Sequence, residues 1–578
     1  MRTIGELLSR DLGRKIEEII QVDQADEQSV YAEITEYIAT DSIRDQYAQL
    51  LKAIAEAPSE QHEGVGVWIS GFFGSGKSSF AKNLGYALQN RKVLGEDFAQ
   101  LFKQQMGDTQ ISNLLDSITT RIPTEAILFE VAKERDTRKV TERIAELMYT
   151  VLLRELDYAE DFDIAELEIE LEAEGQLDEF IETCHKLHNQ DWRIVRKGAQ
   201  KLSRASAILH ELDPVTYPSA DSWSHAQRNR DAAVSVSKVV ERTFELVGRR
   251  RPDKAIVFII DEVGQHVARS SDKIEDLRAT VEEFGKVGKN LLRTHKIPAP
   301  CWIVVTSQEK LDEVVAAIDS RRVELAKLQD RFRYRIDLAP SDIREVATKR
   351  VLAKKPEAEP ILKKLYADNQ GSLNAALRLE RTSRRTEITE AEFIQFYPYP
   401  PHYLSLCIGI MSGIRLQPGA PRHYGGSNRT IIKQAYEMLV SDRTAMAHQP
   451  LGTLVTLDKV FELVEGNLSN EKRTDIYDIS EGFKSDPGDQ GWALRVAKVI
   501  CLLEFIRDLP RTESNIAAFL VDTVGKPTPL AEVQEAVTKL HAAQFIRNTE
   551  DGWKLQTAQE KSWETERRGY LEPKPRDR

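Results

Sequence analysis

The sequence predicts an α/β fold built on a parallel sheet, and three observations carry that prediction. Short, wholly apolar runs alternate with helical patterns; a glycine-rich loop joins the first such run to a helix; and a later run ends in two adjacent acids. Runs that are apolar throughout, rather than at every second position, mark strands covered on both faces, as in parallel sheets closed by crossover helices.

At 578 residues and 41% apolar, the chain is too long for one core and rich enough to build several. No apolar run approaches the roughly 20 residues that cross a bilayer. The opening segment is amphipathic with an early acid and does not read as a secretory signal. Cys184, Cys301, Cys407 and Cys501 lie far apart, without metal-ligand spacing, and read as buried thiols of a cytoplasmic protein. The net charge of −12 is local: residues 155–182 hold thirteen acids and no Lys or Arg, so the rest of the chain sums to about +1. Global charge therefore neither favours nor excludes nucleic acid.

Residues 1–60 place Ile16, Ile19, Ile20, Ile34, Tyr37 and Ile38 at helical spacing and read as an N-terminal helical segment. The stretch 58–66 breaks the pattern. Residues 65–70 form the first expected strand, and 78–89 the helix after the loop. Further strands are expected at 127–131, 255–260, 302–306 and 335–338, which makes 61–340 the sheet domain. Its stretch from about 140 to 250 reads as a helical insertion, acidic at first and basic at Arg249, Arg250 and Arg251. A helical lid is expected over 341–400, closed by the rigid Tyr397-Pro-Tyr-Pro-Pro401, and a helical linker over 401–490. Three helices (496–509, 513–521, 530–543) and a hairpin turning at Asp551-Gly552 predict a winged-helix domain over 491–558. A charged tail, 559–578, ends the chain.

Gly71-Phe72-Phe73-Gly74-Ser75-Gly76-Lys77-Ser78, followed by Ser79, matches G-x-x-x-x-G-K-[ST] in full. Glycines let successive backbone N–H groups turn inward around phosphate oxygens, and the next helix points its positive end at them. Lys77 would reach the β and γ oxygens of ATP, and Ser78 would ligate Mg²⁺. The bland alternative is a flexible glycine turn, but the strand before and the helix after are the context this motif requires. The strand ending in Asp261-Glu262 supplies the second half: Asp261 to hold Mg²⁺, Glu262 to activate water. Two solvated acids at a strand end would be the plain reading without the loop.

Thr306 and Gln308 end another apolar strand, where a polar side chain could sense the γ-phosphate; a strand running into a polar loop explains them equally. Arg331, in Asp330-Arg-Phe-Arg333, reads either as a surface basic run or as an arginine offered to a neighbouring subunit. The candidate reading helix of the winged helix offers Glu532, Glu535, Lys539 and His541, too acidic for a major groove, so protein docking competes with DNA contact there. Arg378, Arg381, Arg384 and Arg385 form a better phosphate-binding cluster, or a solvated helix face. The acidic segment 155–182 reads as a solvated face or as a dock for a basic partner.

Several stretches together resemble the large ATPase of BREX phage-defence systems, the BrxC/PglY type. They are Ile4-Gly-Glu-Leu-Leu8, Asp23-Gln24, Glu33-Ile-Thr-Glu-Tyr37, Val67 to Ser78, Asp163-Ile-Ala-Glu-Leu-Glu168, Asp261-Glu-Val-Gly-Gln265, Thr306-Ser-Gln-Glu-Lys-Leu311 and Phe396-Tyr-Pro-Tyr-Pro400. The resemblance implies an AAA+ core related to origin-recognition ATPases, acting beside a methyltransferase and a phosphatase-like component against phage DNA. It places Thr306 and Gln308 in the strand between the two phosphate strands and makes Arg331 a finger acting in trans. The lid motif at Gly371-Ser-Leu-Asn374 holds Asn374 where an arginine is usual, with Arg378 the nearest on that face. Relatives of this type are usually longer, so an N-terminal part or a short form is expected.

The expected function is ATP hydrolysis with Mg²⁺ by a homo-oligomer in a defence complex, with duplex DNA a candidate partner and no membrane. The alternative is an ATP-gated scaffold with little turnover.

Overall fold

Five strands form one parallel sheet: β1 (Gly66–Ser70), β2 (Thr124–Glu130), β3 (Ala255–Asp261), β4 (Trp302–Ser307) and β5 (Tyr334–Asp337), in the order β2-β3-β4-β1-β5. Every residue of β1, β3 and β4 is buried, which is why these strands read as unbroken apolar runs. Alternate residues face opposite layers. Trp68, Phe258, Ile260, Ile303 and Val305 enter one core, whereas Val67, Ile69, Val257, Ile259 and Val304 enter the other. Edge strand β5 keeps only Ile336 buried. Each strand lies within a few residues of its expected place.

The computed structural model describes residues 2–13, 22, 26–59, 63–71, 75–137, 143–227, 235–267, 270–316, 328–385, 387–415, 431–484, 486 and 488–571. They divide into two units. One comprises Ile20–Gly71 and Gly76–Leu338; the other comprises Met1–Ile19, Phe72–Ser75 and Ala339–Arg578.

In the sheet unit, the connection from β2 to β3 carries the helical insertion, including Ile144–Glu155, Phe162–Ala173, Leu177–His188, Lys201–Leu212 and Val236–Arg250. Its acidic half does not stand naked. Glu172 pairs with Arg249 at 3.1 Å and Arg250 at 2.7 Å, Glu166 with Arg242 at 2.7 Å, and Asp157 with Arg196 at 2.8 Å. Buried Glu168 accepts from the Trp192 indole at 2.5 Å and from the Ala159 N–H at 2.6 Å. Burial of a carboxylate is costly unless it is paired and hydrogen-bonded. Arg249 and Arg250 of the basic run are counterparts of the acidic one, and much of the expected docking charge is spent inside the insertion.

The other unit is helical. The expected N-terminal segment 1–60 is split, because Ile4, Leu7 and Leu8 belong to this unit's core, while Val30, Ile34, Tyr47 and Leu51 pack in the sheet unit. Backbone bridges Thr3↔Pro450 and Leu8↔Lys354 hold the opening residues there. The lid, linker and C-terminal stretches, separated by sequence reasoning, share one hydrophobic core running from Ala347 to Leu555. Near its end stand helices Trp492–Leu503, Glu513–Ala518 and Leu530–Ala542 and an antiparallel hairpin of β6 (Ile546–Thr549) and β7 (Gly552–Leu555). The expected charged tail is helical over Ala558–Leu571, tied down by Glu560 to Arg547 at 2.6 Å and Lys561 to Asp475 at 3.2 Å. All four cysteines are buried and free. Among the described residues, no helix is long and apolar enough to cross a membrane.

Candidate functional site

Strand register assembles the candidate site. In β1 and β4, Ile69 lies opposite Thr306 and Ser70 opposite Ser307; in β3 and β4, Ile260 lies opposite Val305. Gly71, Asp261 and Thr306 therefore emerge together at the C-terminal edge of the sheet, where the helix Lys77–Gln89 begins. Gly76 caps that helix with φ +91°, a left-handed conformation that side chains resist.

Lys77 is buried and donates from Nζ to the Gly71 carbonyl at 2.8 Å. The Ser78 hydroxyl lies close enough to the Asp261 carboxylate to lower its pKa. Asp261, 6% exposed, also accepts from the Thr306 hydroxyl. Burial raises its pKa, against the lowering effect of Thr306, Ser78, Lys77 and the Glu262 N–H. Thr306 Oγ1 in turn accepts the Glu262 N–H at 2.9 Å. Glu262 sits at φ +61°. Such a backbone conformation in a non-glycine residue is costly and clusters at functional sites. Burial pushes the Glu262 carboxyl up to about 7, with Asp261 and Glu130 adding and Lys77 opposing. A carboxyl titrating near neutrality is suited to taking a proton from water.

Ser78 and Asp261 offer adjacent oxygens, the donor type that Mg²⁺ prefers. Among the described residues, no group of three or more His, Cys, Asp or Glu side chains could hold a metal. A Mg²⁺ site needs only one or two protein oxygens, with water and phosphate completing it.

Ser75 is buried, its hydroxyl without a hydrogen-bond partner among the described residues, and Ser79 is half-buried in the first helical turn. Phe72, Phe73 and Gly74 lie outside the described residues. Gln308 is exposed beyond the end of β4. Arg331 precedes β5, which pairs with β1 from Val67↔Tyr334 onward. It therefore lies at the opposite edge of the sheet from Gly71, at least the roughly 10 Å length of the paired strands away. There it pairs with Glu63 and Glu282, each at 3.5 Å. Asn374 uses its side chain locally: Oδ1 accepts the Ile388 N–H at 2.8 Å and Nδ2 donates to the Gln370 carbonyl at 3.1 Å.

Two contributors escaped sequence reasoning. Glu130 ends β2 directly opposite Asp261 and raises Glu262; a strand ending in an acid was its only signal. Gly264 packs against β4 so closely that a Cβ would lie 2.0 Å from Ser307 Oγ; its place in Asp261-Glu-Val-Gly264 was the hint.

No family model matches the sequence. Among solved structures, the chain is similar to the Walker-type ATPase PABY2304 of Pyrococcus abyssi, at 11% identity and a TM-score of 0.26, over 90% of this chain and 94% of that one. A likeness that weak bears on neither fold nor function.

Proposed function

We propose that this chain binds and hydrolyses Mg-ATP at the C-terminal edge of its sheet. The observation that carries the reading is buried Asp261, held by the Thr306 hydroxyl, with Ser78 and Lys77 at the start of the helix both close enough to lower the pKa of that carboxylate. A lysine, a hydroxyl and a carboxylate brought together at the start of a helix behind a glycine-rich loop match the needs of a triphosphate and its cation.

Lys77 exchanges the Gly71 carbonyl for phosphate oxygens and offsets charge as the terminal phosphoryl group departs. When bound at Ser78 and Asp261, Mg²⁺ supplies further neutralisation of the phosphates. Glu262 takes the proton of the attacking water, held in its strained conformation by Thr306. Gln308, at the end of the same strand as Thr306, lines the approach to the phosphates. Arg331, remote from its own Gly71, serves the site of a second copy in a homo-oligomer.

The finer assignment, an AAA+ ATPase acting in a BREX-type defence complex with methyltransferase and phosphatase-like partners and with duplex DNA a candidate ligand, draws support from the sequence stretches quoted above. A second reading, an ATP-gated scaffold with little turnover, draws support from Asn374, which stands in place of the usual lid arginine and is engaged locally.

The test is ATPase rate per subunit against protein concentration, for the wild type and Arg331→Ala. The expected rate climbs with concentration and falls by about 10³-fold in the variant, the scale of arginine-finger effects. A rate independent of concentration and of Arg331 would remove the shared site; no turnover with intact nucleotide binding would select the scaffold.

A further inference from the structure

We propose that the arginine loop after the helix Glu359–Ala376 is the surface through which this chain grips the phosphate backbone of duplex DNA, in place of the helix Leu530–Ala542. The inference rests on the reading that the chain engages DNA, and is independent of ATP turnover.

Residues 377–385 contain four arginines and one acid. They are not a solvated helix face, because the helix ends at Ala376. Leu377 and Leu379 are buried and hold the loop down, leaving Arg378, Arg381 and Arg385 exposed. The loop is also pinned from outside. Asn515, fully buried, accepts the Glu380 N–H at 2.7 Å and donates to the Glu380 carbonyl at 3.1 Å. Arg384 makes two 2.8 Å bonds to Asp508. Neither Arg378 nor Arg381 has a charged or hydrogen-bonding partner among the described residues. Two unengaged guanidinium groups on a fixed backbone lose little freedom on binding, and their planar forks match phosphate oxygens.

The helix Leu530–Ala542 lacks this character. Its lysine, Lys539, is engaged by Glu535 at 3.1 Å and Asp486 at 3.3 Å, and Glu532 adds further negative charge. Bonds from loop arginines to phosphates position a protein on a duplex without reading sequence. The expected binding is therefore sequence-independent and strongly salt-dependent.

The test measures binding of the full chain to a mixed-sequence duplex by fluorescence anisotropy over a salt series. The wild type is compared with Arg378→Ala/Arg381→Ala, the charge-retaining Arg378→Lys/Arg381→Lys and Lys539→Ala. The alanine pair is expected to weaken binding about 10-fold or more and to reduce the slope of log K against log salt by about 2, one for each phosphate no longer neutralised. The lysine pair keeps most of the slope, and Lys539→Ala binds as the wild type does. Both arginines are exposed, so an unchanged melting temperature separates weakened binding from loss of fold. Wild-type binding unaffected by the alanine pair overturns the loop's assignment alone. Absence of wild-type binding overturns DNA engagement with it, while preference for single-stranded over duplex DNA overturns the stated form of the ligand.

Discussion

The side-chain oxygen of Thr306 accepts the backbone N–H of Glu262 at 2.9 Å, and Glu262 is held at φ +61°. The same hydroxyl donates its proton to Asp261. One side chain on β4 thus fixes both acids that end β3.

Thr306→Val keeps the shape of the side chain and removes both bonds. It leaves Asp261 short of a donor and the Glu262 N–H without its acceptor, which is expected to cost about 2–4 kcal/mol of stability. Turnover should fall by about 10²-fold as Glu262 loses its fixed position. Thr306→Ser should retain most of both. Urea unfolding and steady-state ATPase assays on the three proteins check this.

Gly264→Ala would put a Cβ 2.0 Å from Ser307 Oγ and 2.6 Å from Ser307 Cβ. Such overpacking is expected to cost about 1–3 kcal/mol. It also displaces the helix Val263–Val267, which starts right after Glu262, so turnover should drop as well. Adding Ser307→Gly should restore part of the stability, as read by thermal melting.

The sheet was legible because its central strands are buried on both faces, so β1, β3 and β4 announce themselves as apolar runs ending in chemistry. The bond from the Glu262 N–H to Thr306 was not legible, since it depends on a parallel register between segments more than forty residues apart in sequence. The acidic stretch 155–182 misled for the same reason. Counting its charges gives no sign that Arg242, Arg249 and Arg250 return from the far end of the insertion to pair with them. Asn374 was read by its place in a motif, while its side chain serves a local need at Ile388. The opening residues pattern as continuous helix, and only the partners of Ile4 and Leu7 reveal that they belong elsewhere.

His402 supplies a pH dependence. Burial, then the nearby Arg384, lowers its pKa from 6.5 to about 4, and its ring packs edge-on against Tyr403 and Phe519. The native state favours the neutral ring, so the unfolded chain binds the proton first as pH falls. Stability is therefore lost from about pH 6.5 down to about pH 4, by about 2 kcal/mol at pH 5 from this group alone. In urea titrations between pH 7 and pH 5, His402→Gln should lose less stability than the wild type by that amount.

Asn515→Ala removes the acceptor for the Glu380 N–H and the donor to the carbonyls of Glu380 and Pro510. At a fully buried site this is expected to cost about 2–4 kcal/mol. Denaturant unfolding measures it. Hydrogen exchange at the Glu380 amide should rise in the variant even where the global fold persists.

The most direct test of the account is single-turnover hydrolysis of Mg-ATP by the wild type and Glu262→Gln, with nucleotide affinity measured on the same preparations. The expected variant binds Mg-ATP as tightly as the wild type and turns over about 10²–10⁴-fold more slowly, the scale for loss of a general base. Equal turnover in the two proteins, or a wild type that does not bind Mg-ATP, would contradict it.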